Sequence, residues 1–252
     1  MIYLKILKYK KLSSGRYKLE LEDAQAVELY EETILKFELL LKKKFDYSKM
    51  LEILDYDKKW EVYYVGLRAL KSRFKSTKEL RDYLIKKEYS YDFVDMAIEK
   101  LLKQGYLNDE LFAKSYINNQ IVTSSRGPMK IANDLFNKGI SQLIVNKEIA
   151  VFTEDLQFEK INKIITMSLK SNRTRGGIVL RNKIINDLIV SGYDLSIINR
   201  VISNYEFDSN NDIAKKEYDK LYRKYCRKYS GKELEYKIKE KLYQKGLYYE
   251  EN

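Results

Sequence analysis

Histidine is absent from this 252-residue chain. No His-containing triad, His general base or His-ligated zinc or haem can therefore be built from it. The single cysteine, Cys226, excludes an internal disulfide and a Cys-rich metal cage, and it agrees with a reducing, cytoplasmic setting. Proline occurs once, at Pro128. No apolar run approaches the roughly 18 residues of a membrane span. The opening Met1–Lys11 segment has too short an apolar stretch, and no small-residue cleavage site, for a secretory signal, so neither an anchor nor an export address is expected. What is present points one way. Hydrophobic residues at 44% are enough to fill a core, and 34% charged residues with so little proline predict a highly helical protein. Lys and Arg number 48 against 37 Asp and Glu, a formal charge of +11.

The first 30 residues follow the strand period. Ile2, Leu4 and Ile6 alternate with Tyr3 and Lys5, Ser13-Ser14-Gly15 supplies a turn, and Tyr17, Leu19 and Leu21 alternate with Lys18 and Glu20. This predicts a β-hairpin, with room for a third strand at Ala26–Leu29. Helical patterns follow over Glu31–Leu41 and Ser48–Leu54. Residues 20–61 carry twelve acidic and seven basic side chains, which places the basic surplus elsewhere.

From Asp57 the period is helical and the chain repeats itself. Leu84-Ile-Lys-Lys-Glu-Tyr-Ser90, Leu135-Phe-Asn-Lys-Gly-Ile-Ser141, Leu188-Ile-Val-Ser-Gly-Tyr-Asp194 and Leu242-Tyr-Gln-Lys-Gly-Leu-Tyr248 share one logic. A helix ends, a Gly (or Glu88) takes the left-handed position, an apolar residue follows, and Ser90, Ser141 or Asp194 can cap the next helix. Three helices surround each turn. The first copy spans Lys59–Phe74, Thr77–Lys87 and Tyr91–Lys103, with a capping box at Ser76-Thr-Lys-Glu79. The second spans Asp109–Val122, Pro128–Lys138 and Gln142–Ala150, with Pro128 at a helix start that needs no N–H donor. The third spans Leu156–Lys170, Ile178–Val190 and Leu195–Asn204. The fourth holds Ile213–Tyr225 and Leu234–Lys245, with its last helix missing or very short. Short helices must bury their stripes against one another. The expected architecture is mainly α: tandem three-helix repeats in an elongated array, behind a small N-terminal β-hairpin/α region. The expected divisions are 1–56, then repeats at 57–104, 105–152 and 153–206, and a partial fourth at 207–252.

Leu70-Lys-Ser-Arg-Phe-Lys-Ser-Thr-Lys-Glu-Leu80 with Leu84, then Leu102-Lys-Gln-Gly-Tyr-Leu-Asn-Asp109-Glu-Leu-Phe-Ala113 with Tyr116, then Arg126-Gly-Pro-Met-Lys-Ile-Ala-Asn-Asp-Leu135 with Lys138-Gly-Ile140, occur in that order. With these motifs the stretch Leu70–Ile140 resembles the RecX family of bacterial recombination regulators. The Gly15-Arg-Tyr-Lys-Leu-Glu-Leu21 hairpin and the segment ending in Lys36-Phe37 look like the N-terminal extension of members from low-GC Gram-positive bacteria. The later repeats agree in pattern rather than in specific residues. The resemblance implies tandem three-helix modules that lie along the groove of the RecA filament on single-stranded DNA. It implies restraint of filament growth, strand exchange, ATP hydrolysis and co-protease activity, without enzymatic activity or a cofactor of its own. Glu88, where many members have Gly, and the Asn172–Gly177 segment depart from the pattern.

The basic clusters are the candidate surface for RecA or DNA. Lys71, Arg73, Lys75 and Lys78 flank the junction of the first two helices of repeat one, and Arg126 and Lys130 take the comparable place in repeat two. Lys170, Arg173, Arg175, Arg181 and Lys183 recur in repeat three. Lys220, Arg223, Lys224, Arg227, Lys228 and Lys232 form a fourth run, interleaved with Tyr222, Tyr225 and Tyr229. For one cluster a solvated helix face explains the charge as well; the series together suits a polyanion, because each neutralised phosphate releases counterions. The 23 tyrosines could stack on bases, although packing with the hydroxyl in water explains most of them. Asp109 is explained by helix capping and Asp55 and Asp57 lack a partner pair. Arg173-Thr-Arg-Gly-Gly177 lacks the Lys-Ser/Thr of a phosphate-cradling loop and reads as an exposed loop. Cys226, placed inside the basic helix, reads as an inert thiol. The expected partners are a RecA filament and the single-stranded DNA within it, bound by a monomer with no membrane. The rival reading is a general DNA-binding protein that competes with RecA for single-stranded lattice.

Overall fold

The computed structural model describes residues 3–207 and 211–249. Its N-terminal strands are β1 (Tyr3–Lys11), β2 (Arg16–Leu21), β3 (Ala26–Tyr30) and β4 (Lys44–Asp46), in the order β3-β2-β1-β4 with every neighbour antiparallel. Alternation turns Leu4, Ile6, Leu19, Leu21 and Leu29 to one side, where they pack with Ile34, Leu39 and Ile53. The hairpin and the third strand are therefore present. The fourth strand has three residues, too few for a period to show. The helix expected over Glu31–Leu41 is broken into α1 (Glu31–Lys36) and α2 (Leu39–Lys42), because Glu38 adopts a left-handed φ of 52°.

The two helices expected at Ser48–Leu54 and Lys59–Phe74 are one. After a 3-10 turn at Tyr47–Lys49, α3 runs unbroken from Met50 to Ser72. Its polar interval around Asp55–Lys59 looks like a connection, but Asp57 is turned inward. The Asp57 carboxylate accepts hydrogen bonds from Tyr30 N (2.7 Å), Thr33 Oγ1 (2.7 Å) and Arg16 Nη2 (3.3 Å). One buried acid thus ties the sheet and α1 to the helix.

The first three-helix unit is α3, α4 (Thr77–Ile85) and α5 (Tyr91–Lys103). Val62, Leu80, Leu84, Val94, Ala97, Ile98 and Leu101 form its core. The second has α6 (Asp109–Thr123), α7 (Pro128–Asn137) and α8 (Gln142–Ile149). The third has α9 (Glu154–Ser171), α10 (Gly177–Val190) and α11 (Leu195–Ile202). The fourth has α12 (Asn211–Tyr225) and α13 (Gly231–Tyr243), joined through Ala214, Leu221, Leu234, Ile238 and Leu242. No third helix follows α13 among the described residues. The capping box is formed as expected: Ser76 Oγ accepts from Glu79 N, and the Glu79 carboxylate accepts from Ser76 N. By contacts the chain forms two compact units, one reaching Phe112 with Lys138–Ser141 added, the other Ala113–Asn137 with the chain from Gln142 onward.

Consecutive repeats are joined by a recurring contact inside these units. The turn after the second helix of one repeat lies on the start of the second helix of the repeat before. Ser76 Oγ donates to Lys138 O at 2.7 Å. Gly127 N donates to Ser191 O at 2.7 Å and Met129 N to Gly192 O at 3.1 Å; Gly176 N donates to Lys245 O at 3.0 Å. At Gly139, Gly192 and Gly246 an added Cβ would fall 2.6 Å from Lys78 Cβ, 2.4 Å from Lys130 N and 2.3 Å from Gly176 O. Glycine is needed there for backbone approach as well as for the left-handed turn. Glu88 holds the same conformation in the first repeat, at φ 64°, with its side chain exposed. Tyr193, in the third of these turns, donates its hydroxyl to Ser125 O at 3.1 Å, and burial pushes its phenol up to about 12.

Candidate nucleic-acid interface

The repeat geometry gives the basic residues common addresses. Lys75, Arg126 and Arg175 each stand immediately before the N-cap position of a second helix, at Ser76, Gly127 and Gly176. Arg73, Arg173 and Arg227 lie two residues earlier in their repeats. A positive charge there opposes the positive end of the helix dipole, at a cost of about 0.3–1 kcal/mol at low ionic strength. At the starts of α4 and α7 some backbone N–H groups already have partners. Thr77 N donates to Asp109 Oδ1 at 2.8 Å, Glu79 N to Ser76 Oγ at 3.1 Å, and Met129 N to the docked Gly192 carbonyl. An anion at those two starts would find these N–H groups already taken.

The candidate cations differ in their surroundings. Lys71 is exposed on the last turn of α3, and Lys75 is half-buried with Nζ 5.5 Å over the Tyr83 ring. Arg73 reaches Glu79 at 3.5 Å, and Arg126 pairs with Asp134. Lys78 is exposed with its stem against Gly139, and Lys130 meets Gly192. Arg173 and Arg175 line one shallow depression with Lys183, Ser168, Ser171 and Thr174. The Arg173 guanidinium donates to the backbone oxygens Lys170 O (2.7 Å) and Asn172 O (2.9 Å), and the side-chain Asn172 Oδ1 accepts from Arg175 N (3.1 Å). Arg181 is half-buried on α10. Lys220 and Arg223 line a second depression on α12 with Lys216, Lys224 and Asp219, and Arg227 is exposed beyond that helix. Among the described residues, Lys71, Lys75, Lys130, Arg173, Arg175, Arg181, Lys220, Arg223 and Arg227 have no carboxylate partner.

One acidic group is built into a junction. Burial raises the Glu79 carboxyl, but the Lys138 ammonium at 2.5 Å, the Ser76 N–H and Arg73 together hold it below the usual glutamate range. The other acids have structural roles. Asp109 caps α4 across the unit, whereas Asn108 Oδ1 caps α6 through Leu111 N (3.0 Å), so the expected self-capping by Asp109 is replaced by capping in trans. Asp57 was the acid whose role periodicity hid, because its partners lie 24 to 41 residues away. The Arg173–Gly177 loop is exposed at its arginines, but Gly176 is buried against the turn of the fourth repeat. Cys226 is exposed one residue past α12 rather than inside it. Tyr225 and Tyr229 pack on the core of the fourth unit, which leaves Tyr222 as the exposed member of that trio.

Among the described residues no helix is long and apolar enough to cross a membrane, and no three potential His, Cys, Asp or Glu metal ligands cluster. Fold and surface together define a tandem three-helix repeat protein with cations at the repeat junctions. Residues 63–101 match the family model described as RecX, first three-helix domain, and residues 108–147 match RecX, second three-helix domain. Over these two domains the chain is similar to the RecX family. The regulatory protein RecX of Streptococcus sanguinis is 28% identical over 96% of this chain and 93% of its own length; that of Staphylococcus haemolyticus is 28% identical over 97% and 92%. A crystal structure of regulatory protein RecX superimposes with a TM-score of 0.71 at 23% identity, over 79% of this chain and 99% of that one, a likeness of fold.

Proposed function

We propose that this protein is a cytoplasmic, monomeric, non-enzymatic regulator of the RecA recombinase. It binds the RecA filament on single-stranded DNA and restrains its recombination, ATPase and co-protease activities. The similarity to regulatory RecX proteins supports the partner. The observation that carries the mode of binding is the recurrence of Lys75, Arg126 and Arg175 before the N-caps of three successive second helices. Positive charge there disfavours the helix, and a polyanionic target would offset that cost, with Arg126 also paired to Asp134 within the fold. Lys71, Lys78, Lys130, Arg173, Arg181, Lys220, Arg223 and Arg227 extend the surface around those positions. Weak contacts repeated along a polymer multiply through effective concentration.

The test is RecA ATP hydrolysis on single-stranded DNA, titrated with this protein at two salt concentrations. Inhibition that weakens at higher salt is expected, together with tighter binding to RecA-coated than to naked strand. Tight, salt-sensitive binding to naked strand with no preference for the filament would instead establish a lattice competitor. Unchanged hydrolysis at saturating protein overturns the proposal.

A further inference from the structure

The outward face of the N-terminal sheet carries a second concentration of positive charge. The register sets Lys10 directly opposite Lys18 and Lys5 directly opposite Lys44, with Lys8 opposite Glu20. All five lysines are exposed. The side chains of Lys5, Lys8, Lys10 and Lys18 make no ion pair or hydrogen bond among the described residues, although Lys18 also faces Glu28 on β3. Lys44 lies 5.4 Å from the centre of the Tyr3 ring. Like charges directly opposite one another destabilise a sheet, and a single Glu at Lys10 or Lys5 would turn either pair into an ion pair. Outward residues recur about 7 Å apart along a strand and strands lie about 5 Å apart. Cations at that pitch over three strands suit an extended polyanion better than one small anion. Tyr3 on the same face is 52% exposed, and Leu7, the extra residue where the β1–β2 register shifts, is 61% exposed. Apolar and aromatic surface among cations suits the open bases of a single strand.

We propose that this sheet face is a separate contact for single-stranded nucleic acid. Lys5, Lys8, Lys10, Lys18 and Lys44 meet its phosphates and Tyr3 lies against a base. The inference deepens the functional reading above and rests on it for the target.

The experiment uses the full chain and a fluorescent oligothymidylate over a salt series. K5Q/K8Q/K10Q/K18Q is expected to bind at least about tenfold more weakly at low salt, with the slope of log affinity against log salt reduced by about 3. A second variant, K5E/K10E, adds cross-strand ion pairs, so its thermal midpoint is not expected to fall while its binding does. Unchanged affinity and slope in both variants overturn the proposal, as does an equal loss on duplex of the same length. It is likewise overturned if oligothymidylate binding is kept while RecA inhibition is lost, since the face would then touch protein. RecA hydrolysis with the unaltered chain separates the two readings. If that chain leaves hydrolysis unchanged but the variants still lose the oligonucleotide, the sheet contact stands and the regulatory function falls.

Discussion

A methyl group at Gly192 would sit 2.4 Å from Lys130 N, on a backbone with φ +90° and with the Met129 N–H bonded to the same residue's carbonyl. The Gly192→Ala change is therefore expected to destabilise by about 3 kcal/mol, combining left-handed strain with an overpacked contact. Gly105 has φ +73° with open space around it, so Gly105→Ala should cost only about 1 kcal/mol. Chemical denaturation of both variants checks the difference, and equal losses would refute the docking role of the Gly192 turn. Glu88 already bears the left-handed strain with an exposed side chain. Glu88→Gly should raise stability by up to about 1 kcal/mol, read as a higher thermal midpoint. Asp57 is the contrasting residue: Asp57→Ala would strand the Tyr30 N–H, the Thr33 hydroxyl and the Arg16 guanidinium together. A loss of about 3 kcal/mol is expected.

The start of α4 shows how one helix end gathers several constraints. Ser76 is fully buried, caps its own helix and donates to the Lys138 carbonyl; Glu79 closes the capping box and pairs with Lys138. Because the folded-state pKa of Glu79 is depressed, its contribution is fully present above the unfolded value of about 4.3 and is lost as pH falls through the lower folded value. Glu79→Gln should cost about 1 kcal/mol at neutral pH, and the difference from the unaltered chain should shrink to near zero at the acid end. A difference that persists unchanged in acid would assign the loss to packing rather than to the carboxylate. The long α3 makes a related point about elements. The polar interval in the middle of α3 reads as a loop because its one inward-facing group is an acid, and an acid faces inward only when distant donors await it.

Over the molecule as a whole, basic residues recur at repeat-equivalent places, and the proposed binding is the sum of weak contacts. Neutralising Lys75, Arg126 and Arg175 one at a time should weaken RecA inhibition by comparable factors, and the triple variant by roughly their product. A titration in which one substitution abolishes inhibition and the others do nothing would refute the repeated-contact mode.

The local chemistry of the chain is self-sufficient where neighbours in sequence carry it. Strand alternation before Leu21, helical stripes after Asp57, the Ser76 capping box, Pro128 at a helix start and the four turns all depend on residues within a few positions of one another, so each was legible in the order of amino acids. Distant partners set everything else. Glu38 breaks a helix that its neighbours would continue, Asp57 joins two apparent helices by meeting donors on the sheet, and Asp109 caps a helix other than its own. The lysines of the sheet become one face only when strand pairing sets Lys10 beside Lys18 and Lys5 beside Lys44. Periodicity records which way a side chain points along its own element, whereas pairing and docking choose what it meets there, and that choice belongs to the folded chain.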